Sequence, residues 1–186
     1  MLTDNDACQL VLAKLDYGEP FALQSCSLSE RKDYWIIRGN SAAYVLHGDA
    51  SRRYVGVNAY LVDVDSGLIE IVGSGHDVSE YLQDKYDLRE ADGRHYVLTA
   101  NFPRSDKRAI VHLRQVLECS VQRARELADA GRPWLTGTRR DLQRAEELLR
   151  DRGVATAVKL VEQPLDARPL GGSVWFWDPI KTALRE

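Results

Sequence analysis

Apolar and other residues alternate along residues 54–64, a period of two that predicts a β-strand with one buried face. Residues 65–67, Asp-Ser-Gly, follow as a predicted turn, because Asp bonds nearby backbone and Gly accepts a positive φ. Residues 68–72 then run back as a second strand. The pattern therefore predicts a β-hairpin as the centre of the first half of the chain.

A helix is predicted directly after this hairpin, beyond the glycine-rich residues 73–75. Asp77 and Glu80 have the three-residue spacing of a capping box at a helix start. The side chains at helical spacing that would pack on the sheet are Val78, Tyr81, Leu82 and Tyr86. The polar residues 87–93 are predicted to be a linker.

The residues before the hairpin predict one helix and three further strands. Asp4 can cap a helix whose apolar residues recur at positions 8, 11, 12 and 15. The strands are predicted at residues 21–26, 34–38 and 42–47, with a turn at 39–41. Because consecutive strands favour antiparallel pairing, we expect an antiparallel sheet with flanking helices in residues 1–92.

The second half of the chain predicts the element order β-α-α-β-α-β. Strands are expected at residues 96–102, 133–136 and 155–161, and apolar stripes at helical spacing lie between them. Gly131 and Gly153 are placed to end two of the helices. The fold class is therefore α+β, with a second, small domain at residues 93–163 and a tail at 164–186.

The tail contains an apolar run that includes Trp175 and Trp177. Such side chains are costly to leave in water, so the run is predicted to pack on one of the two domains as an extra strand. Because tryptophan is enriched at binding hot spots, Trp175 and Trp177 are also candidate anchors for a partner.

The net charge of −3 is divided unevenly along the chain. Residues 1–92 contain 8 Lys and Arg against 16 Asp and Glu, whereas residues 93–186 contain 17 against 12. Such an asymmetry indicates either an interaction surface or two oppositely charged domains that dock on each other. Acidic residues are interspersed among the arginines of the second half, so a nucleic-acid partner is not expected.

The sequence also bears on location. No apolar run approaches the roughly 20 residues of a membrane span, and the acidic N-terminus argues against a signal peptide. The three cysteines are odd in number and lack metal-ligand spacing, which fits a reducing compartment. We therefore expect a cytoplasmic protein without a membrane partner.

None of the polar motifs has the spacing that catalysis or metal binding requires. An EF-hand loop needs Gly at its sixth position and Glu at its twelfth, but Gly67 and Glu70 come too early after Asp63. The glycines at 73–75 lack the Lys of a phosphate-binding loop, and no nucleophile motif surrounds the cysteines. The sequence predicts no catalytic residue, metal or cofactor, and hence a protein that is not an enzyme.

A set of residues across the hairpin and its helix resembles the immunity protein 35 family of bacterial polymorphic-toxin loci. The match covers about the first half of the chain, and its residues are Gly48, Asp49, Gly56, Asn58, Ala59, Asp63, Asp65, Gly67, Glu70, Gly73, Glu80, Tyr81 and Leu82. The resemblance implies a small α+β protein that binds a cognate protein toxin, encoded nearby, and blocks it by contact. The sequence leaves the oligomeric state open.

Residues 96–161 resemble the C-terminal domain of the bacterial ribosomal stalk protein and the ClpS-adaptor-like fold. The matching positions are Arg114, Ala124, Leu127, Ala145, Glu146, Glu147 and Gly153. Residues 118–121 replace the Gly-Leu-Gly-Leu turn of the stalk protein, so the resemblance implies its fold without its docking of translation factors. The alternative function is a chaperone-like or adaptor protein that binds client proteins through this domain.

Four carboxylates are the candidate interface to a toxin. Asp65 lies at the predicted turn, and Glu80, Asp84 and Asp87 recur at i, i+4 and i+7 of the predicted helix. These three are predicted to form an exposed face whose like charges repel one another. An acidic face suits a basic partner because complementary charge speeds association, although it also serves solubility alone.

Overall fold

The computed structural model describes residues 1–15, 18–129, 131–170 and 176–185. The chain is a mixed α+β protein, as predicted, and it divides into two compact units. Unit 1 is Met1–Leu82 and unit 2 is Gln83–Glu186, so the division falls inside one helix.

Unit 1 is built on a four-stranded antiparallel sheet with the order β1-β2-β3-β4. Its elements are α1 (Asp4–Lys14), β1 (Phe21–Leu28), β2 (Tyr34–Ser41), α2 (Ala42–His47), β3 (Val57–Asp63), β4 (Ile69–Gly73) and the start of α3 (Val78–Ala91). α1 buries Ala7 and Val11 against one face of this sheet. The predicted antiparallel sheet with flanking helices is confirmed.

The strand predicted at residues 42–47 is wrong, because this segment is the helix α2. The Ser41 hydroxyl accepts a hydrogen bond from the Tyr44 amide at 3.1 Å and so caps the helix start. Gly48 ends the helix in the left-handed conformation, with φ +71°. Two local caps therefore outweigh the apolar pattern that suggested a strand.

The turn predicted at residues 39–41 is also wrong, since β2 continues to Ser41. A Cβ at Gly39 would lie 2.5 Å from Phe21 Cε1 and 2.7 Å from the Ala22 carbonyl oxygen. Glycine is needed there for the close approach of β1 rather than for a change of direction.

The strand β3 differs from the half-buried strand that the alternation predicted. Four consecutive residues, 59–62, are buried, because both faces of this central strand are covered. Tyr60 and Val62 pack with α1, while Tyr81 of α3 reaches the opposite face of the hairpin. Consecutive burial is the pattern of a strand inside a sheet with two covered faces.

The linker predicted at residues 87–93 is wrong as well, because α3 continues to Ala91. Asp87 and Ala91 are buried within unit 2. The polar composition that suggested a linker belongs to the solvent side of this helix, where Leu88, Arg89 and Glu90 are exposed.

Unit 2 has the element order β-α-α-β-α-β that was predicted for residues 96–161. The elements are β5 (His95–Ala100), α4 (Lys107–Leu117), α5 (Val121–Leu127), β6 (Pro133–Thr136), α6 (Arg139–Arg150), β7 (Thr156–Val161), β8 (Arg168–Pro169) and α7 (Trp177–Arg185). The sheet order is β7-β5-β6-β8, in which β5 is antiparallel to both neighbours and β8 is parallel to β6. The helices α4 and α6 bury Leu113, Leu117, Leu142 and Leu149 in its core.

The tail does pack on a domain, but a helix does most of the packing. The short strand β8 lies before the apolar run for which a strand was predicted, and α7 buries Ile180 and Leu184 in the core of unit 2. Trp177 begins this helix, so it is not part of the predicted strand.

Cys26 of β1 offers a test of the packing of α1. Its pKa is raised to about 12, first by burial and then by its hydrogen bond to the Cys8 thiol of α1. Only the thiolate reacts with alkylating reagents, and the raised pKa keeps Cys26 in its thiol form at pH 8. We expect iodoacetamide to label Cys26 far more slowly in the native chain than in urea, as measured by mass spectrometry. Equal rates in the two states would contradict this packing.

Candidate functional site

The tip of the β3–β4 hairpin is held by Asp63 and Gly67. Asp63 Oδ1 accepts hydrogen bonds from the amides of Asp65 and Ser66, at 3.1 and 2.8 Å. Gly67 adopts φ +70° and donates its amide to the Asp63 carbonyl oxygen at 2.9 Å. The predicted turn is confirmed, although Asp63 rather than Asp65 supplies the capping carboxylate.

A second set of bonds ties the hairpin to the start of α3. Asn58 Nδ2 donates to the His76 carbonyl oxygen at 2.8 Å, and the Tyr81 hydroxyl donates to Glu70 Oε2 at 3.2 Å. Asp77 Oδ1 caps the helix by accepting from the amides of Ser79 and Glu80. These bonds hold the hairpin and the start of α3 together. Three of the residues involved, Asn58, Glu70 and Tyr81, are among those on which the family resemblance rests.

The strand β4 forms an edge of the sheet of unit 1. It pairs with β3, and no strand among the described residues pairs with its other side. Ile71 in the middle of β4 is 56% exposed and Leu68 just before it is 62% exposed. An exposed apolar edge strand is a ready site for pairing with another strand.

An apolar groove runs beside this edge, between α1 and the sheet. Its volume is about 150 Å³, and it is lined by Val11, Lys14, Leu15, Tyr60, Ile69 and Ile71. Ile69 and Ile71 share the α1 face because they pair with Val62 and Tyr60 of β3. Glu70, between them in β4, points to the opposite face, where it meets Tyr81. We name Ile69–Gly73 and this groove the edge site.

The charge of unit 1 is strongly negative. Residues 1–82 contain 6 Lys and Arg against 12 Asp and Glu, which gives a net charge of −6. Asp65 and Glu80, two of the predicted interface residues, are exposed in this unit. Asp65 lies at the hairpin tip that leads into β4, and Glu80 lies in the first turn of α3.

Asp84 and Asp87, the other predicted acids, lie in unit 2 and pair with arginines of α6. Arg140 forms two bonds with Asp84, Nη2 to Oδ2 at 2.9 Å and Nε to Oδ1 at 3.3 Å. Arg139 Nη1 lies 3.3 Å from Asp87 Oδ1, and Gln83 Nε2 donates to the same oxygen at 2.8 Å. The predicted exposed, self-repelling face is therefore wrong, because Asp87 is buried and the arginines compensate the charges of Asp84 and Asp87.

Asp87 also borders a cavity of about 210 Å³ in unit 2. The Tyr96 hydroxyl donates to the Asp87 carbonyl oxygen at 3.1 Å, and the Arg139 guanidinium lies 5.9 Å from the centre of the Tyr96 ring. Burial, followed by the negative charges of Asp87 and Glu90, raises the pKa of Tyr96. These contacts give Asp87 and Arg139 a role in holding α3 to α6 within this unit.

Of the two tryptophans predicted as anchors for a partner, the structure describes Trp177. Trp177 is half-buried, and the Arg152 guanidinium lies 4.2 Å from the centre of its ring. Its indole therefore packs on the core of unit 2 under a cation–π contact. Trp175 lies outside the described residues.

The edge site is a feature that the sequence reasoning missed. The apolar residues of α1 and the alternation of residues 69–72 were visible, but the strand order that leaves β4 at an edge was not. Edge position depends on which strands pair across the chain, and local periodicity carries no information about it.

Within the described ranges, no helix is both long and apolar enough to cross a membrane. The same ranges hold no group of three or more His, Cys, Asp or Glu that is arranged for a metal ion. No protein-family model, curated protein or solved structure matches the chain.

Proposed function

We propose that the chain is an immunity-type protein that binds a cognate bacterial toxin in the cytoplasm and neutralises it by contact. The observation that carries the proposal is the set of hydrogen bonds that joins the β3–β4 hairpin to the start of α3. Through these bonds, Asn58, Glu70 and Tyr81, which carry the family resemblance, hold β3, β4 and α3 together. These hydrogen bonds restrain the hairpin and the helix before binding, and a surface restrained in advance loses less entropy on binding.

Two further features of unit 1 support a protein partner. The edge site offers exposed apolar area beside main-chain hydrogen-bonding groups, which is a common basis for recognising a polypeptide. The net charge of −6 would attract a basic toxin and speed its association. Neutralisation then needs only that the bound chain covers the toxin's working surface.

Co-expression with the product of the adjacent coding region tests this function. We expect that product to arrest bacterial growth when it is induced alone, and the present chain to restore growth when both are induced. The two proteins should also elute together from a size-exclusion column. Growth arrest that persists while both proteins accumulate in soluble form would contradict the proposal.

The exposed acids of unit 1 should govern the rate of binding. Reversing Asp65 and Glu80 to lysine is expected to slow association with a basic toxin severalfold at low salt, and less at high salt. Stopped-flow or surface plasmon resonance rates measured over a range of salt concentrations would show this.

The matched control for that experiment is the reversal of Asp151 and Glu162, two exposed acids of unit 2. This control changes the net charge of the chain by the same amount and should leave the rate nearly unchanged. Equal slowing by the two pairs would mean that total charge, rather than the surface of unit 1, governs association.

A second candidate function is favoured by one observation in unit 2. Val111 of α4 and Val121 of α5 are exposed on the helix pair, where an adaptor that binds client proteins would need apolar contacts. Changing both to aspartate in the full chain would abolish client binding by such an adaptor and leave toxin neutralisation intact. Loss of neutralisation instead would assign the toxin contact to unit 2.

A further inference from the structure

We infer that the edge site binds an extended strand of the partner whose side chains alternate between apolar and basic. This inference rests on the proposed function only in assigning the strand to the toxin. Its three parts come from separate observations: the open edge of β4, the groove beside Ile71, and the Glu70 carboxylate on the opposite face of the same strand.

The open edge supplies the main-chain contacts. The strand β4 pairs with β3 through residues 69–73, and its other side faces no strand of the described chain. Successive backbone groups of a β-strand point alternately to its two sides, so part of the polar backbone of β4 is directed outward. An added strand would pair with these groups and extend the sheet of unit 1.

The groove selects apolar side chains on one face of the added strand. Side chains two positions apart on a strand lie on the same face, roughly 7 Å from each other. On the α1 face, Ile71 is 56% exposed and borders the groove with Tyr60 and Leu15. A valine or isoleucine opposite Ile71 would enter this groove and cover the exposed part of Ile71.

The charge of the other face selects basic side chains. Glu70 lies on the α3 face of β4, with its carboxylate beside the Tyr81 hydroxyl. Asp65, in the turn before β4, and Glu80, in the first turn of α3, are exposed acids of the same unit and add to its negative charge. Lysine or arginine in the added strand would lie close to Glu70, since directly opposed side chains in a sheet are about 5 Å apart.

Charge also decides between this partner and a second copy of the chain. Two copies that paired β4 with β4 would bring together two units that each carry a net charge of −6. Like charges across an interface oppose association, whereas a basic strand is attracted. The occupant is therefore a partner of opposite charge rather than another copy.

A synthetic peptide that alternates valine and lysine is the probe for this inference, and calorimetry on the full chain is the measurement. A peptide of the same composition, with its valines and lysines in separate blocks, is the control for charge. We expect the alternating peptide to bind at least about tenfold more tightly than the block peptide. Equal affinities would overturn the inference, because charge alone would then explain the binding.

The variant Ile71→Glu tests the location. It blocks the apolar side of the edge site, so we expect at least about a tenfold loss of affinity for the alternating peptide. Because this change adds a negative charge, attraction by charge alone would become stronger instead. The matched control is Leu46→Glu on α2, which is 66% exposed and lies outside the edge site, and it should bind as the unchanged chain does.

Hydrogen exchange of the unchanged chain tests the location of the bound peptide independently. The alternating peptide should slow exchange of amides within residues 69–73, and protection confined to other segments would overturn the inference. A dimer in light scattering that Ile71→Glu dissociates would likewise overturn it in favour of a second copy. These results do not depend on the toxin: a chain that neutralises its toxin yet fails them refutes the edge site alone.

Discussion

Replacing Gly67 with valine should lower the free energy of unfolding by about 2–4 kcal/mol. Gly67 holds φ +70°, a conformation that is strained for a β-branched residue. A Cβ there would also lie 3.2 Å from Leu10 Cδ1 and 3.3 Å from Leu2 Cδ1, so these two side chains would have to give way by a few tenths of an ångström. Urea denaturation followed by circular dichroism measures the change.

Two glycines provide matched controls for this substitution. Gly18 has a similar φ of +67° but no neighbour within 4 Å of a Cβ, so Gly18→Val isolates the backbone strain. Gly75 has neither a positive φ nor a close neighbour, and Gly75→Val should cost least. If Gly67→Val proved no more destabilising than Gly75→Val, the hairpin tip would not be the fixed turn described above.

Replacing Arg139 with methionine should destabilise unit 2 by about 1–3 kcal/mol. Asp87 is only 4% exposed. Removal of the guanidinium would leave its buried carboxylate with the hydrogen bond from the Gln83 side-chain amide but without the ion pair. The cost is below that of a fully buried pair, because the Arg139 side chain is itself partly exposed. Thermal and urea unfolding would measure it.

Arg144→Met is the control, since Arg144 pairs with Glu147 at the surface and should cost less than about 1 kcal/mol. Adding Asp87→Asn to Arg139→Met should cost less than the sum of the two single changes, because both remove the same interaction. Strict additivity would show that Arg139 and Asp87 are not coupled.

Local signals were enough to predict the hairpin and the start of α3. Gly67 and Asp77 act on residues within a few positions of themselves, so their effect is readable from the order of residues. The carboxylate that holds the turn was assigned to Asp65 and is that of Asp63. The β-α-α-β-α-β order of unit 2 was predicted for the same reason, since caps and apolar stripes mark each element.

Contacts between distant parts of the chain were not readable in this way. Asp87 appeared to be exposed because its partner, Arg139, lies 52 positions later in the sequence. The position of β4 at the edge depends on the pairing of all four strands, and Gly39 owes its place to the Phe21 ring of the neighbouring strand. Sequence pattern alone therefore predicts interface residues less well than it predicts helices, strands and turns.

Titration of the toxin with this chain tests the central claim most directly, namely that the chain neutralises by occupying its partner. The residual activity of a fixed amount of toxin should fall in proportion to added chain and reach its minimum at equimolar amounts, with no further change over time. Because an enzyme turns over, a chain that destroyed or modified the toxin would silence an excess of it. Complete loss of activity at a small fraction of the equimolar amount, or full activity at a large excess of chain, would contradict the account.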